Sequence, residues 1–80
     1  TMASTIKTRL HNVVVWVKSK DPKYKVRMYS YLAPKVYVAR GWFEEEHPDE
    51  ELVKIFSLGV HEYEISKERY RAIYQDSTPV

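Results

Sequence analysis

The chain has 80 residues, 44% of them apolar and 14% aromatic, and it contains no cysteine. That suffices for one small core, near the lower size at which a chain folds without disulfides or metal, and it excludes thiolate chemistry and Cys-based metal centres while suiting a reducing, cytoplasmic setting. The net charge of +2 conceals a gradient: residues 1–41 hold nine Lys and Arg against Asp21 alone, whereas residues 42–80 hold four against ten Asp and Glu, a pattern that suits either a polyanion-facing surface or mutual attraction of the two halves.

In chain order, residues 1–10 are read as a flexible basic arm, residues 11–75 as a single domain and residues 76–80 as a frayed tail. His11 to Ser19 contains the β-branched and aromatic run VVVWV and predicts a strand, closed by a turn at Asp21-Pro22. Trp16 falls on the opposite parity from Val15, which leaves both core and surface open to it. Lys25 to Leu32 alternates and predicts a second strand, with Val26, Met28, Ser30 and Leu32 on one side and Lys25, Arg27, Tyr29 and Tyr31 on the other. Pro34 turns the chain, and Lys35 to Phe43 is expected to continue as a third strand bending at Gly41.

Charge then reverses in EEEHPDEE. Pro48 suits the first position of a helix, Asp49, Glu50 and Glu51 suit its positive end, and Leu52, Ile55 and Phe56 form an apolar stripe that runs to a stop at Gly59. VHEYEI predicts a fourth strand, and Ser66 an N-cap for a second helix over KERYRAIYQ. The expected order is thus β-β-β-α-β-α, an α+β fold with a small antiparallel sheet and two short helices packed on one face.

The hairpin formed by the second and third strands carries the sharpest functional pattern. If Val36 and Val38 join Val26 and Met28 in the core, Lys25, Arg27, Tyr29, Tyr31, Lys35 and Tyr37 share the outer face. Arg40 joins under the other parity, and Lys18, Lys20 and Lys23 flank it from the turn. Aromatic rings on which bases stack, set among cations that track phosphates, point to nucleic acid, single-stranded by preference. The same residue types suit a protein interface, so a homodimer or a small inhibitor of viral type, bound through this face or through the acidic segment 44–51, is the alternative.

Other chemistry finds little support. His11, His47 and His61 are scattered over different elements, only two glycines are present, and no spaced carboxylate loop suits calcium. The expectation is a non-enzymatic binding module or regulator with no cofactor, no metal, no membrane contact and no small-molecule substrate. The longest apolar run, Val13 to Val17, is far too short to span a bilayer.

Overall fold

The structure, a computed structural model, describes residues 4–76, Asp76 by its backbone alone. Three strands and two helices follow in the order β1 (Thr5–Lys18), β2 (Val26–Ala33), α1 (Val36–Glu46), β3 (Leu52–Ser66) and α2 (Lys67–Asp76). The sheet is antiparallel, with β1 in the centre between β2 and β3. The fold is α+β, but the expected order is corrected at three places.

First, Thr5 to Leu10 is no arm: TIKTRL alternates polar and apolar residues and forms the first half of β1, paired with His61 to Ser66. Second, the segment expected as a third strand is the helix α1. Val38, Ala39, Trp42 and Phe43 recur at i, i+1, i+4 and i+5, a helical stripe whose Val38, Ala39 and Phe43 are buried. Third, the segment expected as a helix after Pro48 is a loop followed by the first half of β3, in which Ile55 and Phe56 point to opposite sides. The Ser66 cap stands as expected, its Oγ accepting the Arg69 N–H at 3.1 Å. The frayed tail lies outside the described residues from 77 onwards, as do residues 1–3 of the expected arm.

Two apolar clusters hold the elements together. Val13, Val15 and Val17 are fully buried and pack with Ala33 of β2 and Val38, Ala39 and Phe43 of α1; burying each of the valines and the phenylalanine contributes on the order of 1.5–3 kcal/mol. Leu10, Ile65 and Ile73 of α2 form the second cluster, flanked by Tyr63, Tyr70 and Tyr74. The pairing of β1 with β2 is unbroken from His11 to Lys18, so odd residues at 13–17 and even residues at 6–10 point to opposite sides of the strand. The helices therefore cover opposite sides of β1 at its two ends, which corrects the expectation of both on one face. They are still neighbours, because Trp42 of α1 packs on both clusters, and two-stranded ribbons twist strongly enough to bring this about.

β3 accommodates the change with bulges. Between the pairs His11–Val60 and Val13–Ser57 it carries one residue more than β1. Gly59, with φ at 140°, supplies a backbone conformation that L side chains rarely adopt, and Ser57 Oγ ties the bulge by accepting the Gly59 N–H at 3.1 Å and bonding His11 Nδ1 at 2.9 Å.

Candidate binding surface

On the side covered by α1, Tyr29 and Tyr31 stand opposite the buried Val15 and Val13. Their rings pack on the core and their hydroxyls reach the end of α1 and the loop that follows it. The Tyr29 hydroxyl donates to Glu50, and the Tyr31 hydroxyl donates to Glu46 at 3.0 Å. His47 stacks on the Tyr29 ring at 4.1 Å and lies 3.0 Å from Glu50 and 3.9 Å from Glu46, while Arg27 approaches Glu50 at 3.6 Å. The hydrogen bond to Glu50, and then burial, raise the Tyr29 phenol above its ordinary pKa; burial, and then Glu46, raise that of Tyr31. This is a network in which each aromatic hydroxyl has a carboxylate and Glu50 gathers Tyr29, His47 and Arg27. It pins the loop 47–51 to β2.

Among the described residues no helix lies on the opposite side of the same half of the sheet. Its strand positions are Val14, Trp16 and Lys18 on β1, Val26, Met28 and Ser30 on β2, and Lys54 and Phe56 on β3. Trp16 and Phe56 meet edge to face at 5.5 Å, and the Lys54 ammonium lies 5.6 Å from the first ring and 5.2 Å from the second. Met28 is 64% exposed, and Leu58, in the bulge just beyond, is 61% exposed. Among the described residues these strand positions include two lysines and no carboxylate, and neither lysine forms an ion pair. Some acids of the second half meet Arg27 on the covered side or stand across the ribbon from Lys7 and Arg9, while Glu51, whose carbonyl accepts the Lys18 N–H at 2.9 Å, borders this surface at its Lys18 end.

The residues expected to share one outer face are dispersed. Arg27, Tyr29 and Tyr31 belong to the network on the covered side. Lys35 is the N-cap of α1, Tyr37 is exposed on that helix, and Arg40 pairs with Glu44 at 3.7 Å one turn later. Lys20, Lys23 and Lys25 lie in the turn between β1 and β2, held by the Asp21 carboxylate, which accepts the Lys23 N–H at 2.9 Å. Only Lys18 falls on the uncovered surface. Trp16, Lys54 and Phe56 were missed there. The parity of Trp16 against three buried valines was the signal available, whereas Lys54 and Phe56 were hidden by the helical reading of their segment.

Among the described residues no group of three or more His, Asp or Glu is placed to hold a metal ion, and no helix is long and apolar enough to cross a membrane. No protein-family model, no curated protein and no solved structure matches the chain.

Proposed function

We propose that the protein is a non-enzymatic binding module that holds single-stranded nucleic acid on the uncovered face of its sheet. The observation that carries this reading is the pair of rings, Trp16 and Phe56, set beside Lys54 and Lys18 on a surface whose strand positions hold no carboxylate. Rings with exposed area accept bases whatever their sequence, each stack contributing about 1–3 kcal/mol. Lys54 need only swing from the rings towards a phosphate to make room and to add a contact. Lys20, Lys23 and Lys25 of the adjacent turn extend the path for the backbone.

A second reading rests on Met28 and Leu58, whose exposure on the same surface also suits a protein partner. One titration separates the two. Labelled single-stranded DNA and RNA oligomers, followed by fluorescence anisotropy at low and moderate salt, are expected to bind the wild type with strong salt dependence. Trp16→Ala and Phe56→Ala are each expected to weaken binding roughly 5- to 150-fold, and Tyr37→Ala to leave it unchanged. Absence of binding at low salt, or binding indifferent to both rings, overturns the nucleic-acid reading; light scattering on the same samples then shows whether the surface is used for self-association.

A further inference from the structure

Beyond this surface, we infer that the edge of β1 from Thr5 to Leu10 is an acceptor for an extended peptide strand whose carboxylates alternate with apolar side chains. β1 pairs with β3 over Thr5 to Val17 but with β2 only from His11 to Lys18. Six residues of the central strand thus have a partner on one side alone among the described residues, and in an antiparallel ladder every second one of them directs its N–H and C=O away from β3. The strand position that no described residue fills is collinear with β2. Its length matches the short segments that add to sheet edges in strand-addition complexes.

The side chains of this edge define the partner. Lys7 and Arg9 are exposed on one side of the strand; Ile6, Thr8 and Leu10 lie on the other, where Leu10 is fully buried against α2 and Thr8 bonds the Tyr74 hydroxyl at 2.6 Å. The neighbour already in place shows which pattern fits: β3 sets Glu62 against Arg9 and Glu64 against Lys7, with His61, Tyr63 and Ile65 against Leu10, Thr8 and Ile6. A strand added to the free edge meets the same side chains from the other flank. Two cations each standing between two strands suit carboxylates on both, and the apolar residues of the incoming strand extend the cluster beneath α2. A second copy of this edge is a poor occupant. In an antiparallel pairing that keeps each face together, Lys7 stands against Lys7 or Arg9, and like charges placed directly opposite oppose pairing.

The test uses a peptide with the chain's own β3 pattern, residues 60–66, blocked at both termini, and a control with Glu62 and Glu64 replaced by Lys. Titrated into the full chain labelled with ¹⁵N, the first is expected to shift and protect the amides of Thr5 to Leu10, while those of Val26 to Ala33 stay in place. The control is expected to bind at least about tenfold more weakly, as two cross-strand charge pairs reverse sign. The variant Lys7→Glu/Arg9→Glu, checked for its fold by its spectrum, is expected to invert the preference. Shifts confined to other segments, no shift at millimolar peptide, or equal binding of peptide and control each overturn the inference. None of these outcomes bears on Trp16 and Phe56, which lie at the other end of β1.

Discussion

The two sides of the β1–β2–β3 sheet, separated by the thickness of one backbone, have been furnished in opposite ways. Under α1, the tyrosine hydroxyls and the charged groups beside them find counterparts: Tyr29 with Glu50, Tyr31 with Glu46, Arg27 and His47 with Glu50. On the uncovered side, Trp16, Phe56 and Met28 share the surface with Lys18 and Lys54, which have no carboxylate among the strand positions around them. The lesson is that an aromatic and basic composition does not by itself mark a binding face. The tyrosine hydroxyls here are satisfied within the fold, and the binding we propose falls instead on the rings that stand beside lysines without an ion pair among the described residues.

The comparison is broken most severely from the covered side. Phe43→Ala removes the largest fully buried side chain and is expected to cost about 3–5 kcal/mol, a large part of the stability of a chain this size; urea denaturation checks it. Gly59→Val forces a β-branched residue into a backbone conformation at φ 140° and is expected to cost about 1–3 kcal/mol by the same measurement. Tyr31→Phe deletes one donor to a partly exposed carboxylate, for an expected loss of about 1 kcal/mol. Met28→Ala on the uncovered side, where the residue is mostly exposed, is expected to change stability by less than about 0.5 kcal/mol.

The tyrosine network also gives a pH dependence of definite sign. Tyr29 and Tyr31 both have raised pKa values in the folded chain, so above the ordinary phenol pKa of about 10 the folded state retains protons that the unfolded state has lost. Their contribution is complete below that pH and declines as pH rises above it. Denaturation midpoints measured from pH 8 to 11 are expected to fall more steeply for the wild type than for the variant Tyr29→Phe/Tyr31→Phe.

Much of this architecture was legible along the chain and some was hidden for physical reasons. Val13, Val15 and Val17 are too β-branched to read as anything but strand, and Ser66 before KERYRAIYQ marks a helix start. Val36-Tyr37-Val38 alternates over three residues and so imitates a strand; the helical stripe that decides the matter, Val38, Ala39, Trp42 and Phe43, emerges only over six. Pro48 and its acids carry helix-start chemistry but serve a loop, whose Glu50 is committed to Tyr29, His47 and Arg27. Leu52, Ile55 and Phe56 have helical spacing by coincidence of a β-bulge, since Val53 is the extra residue between Leu52 and Lys54. The proposed binding surface was the least legible part, because which strand parity faces solvent is decided by which side a helix covers. That in turn depended on the segment whose helix went unread.

One measurement tests the central claim most directly: a ¹⁵N-edited titration of the chain with an unlabelled single-stranded oligonucleotide at low salt. The uncovered face predicts the largest shifts at the Trp16 indole N–H and at the amides around Met28, Lys54 and Phe56, with Tyr29, Tyr31 and His47 nearly still. Shifts centred on Tyr29, Tyr31 and Tyr37, or no shift anywhere at low salt, would contradict it.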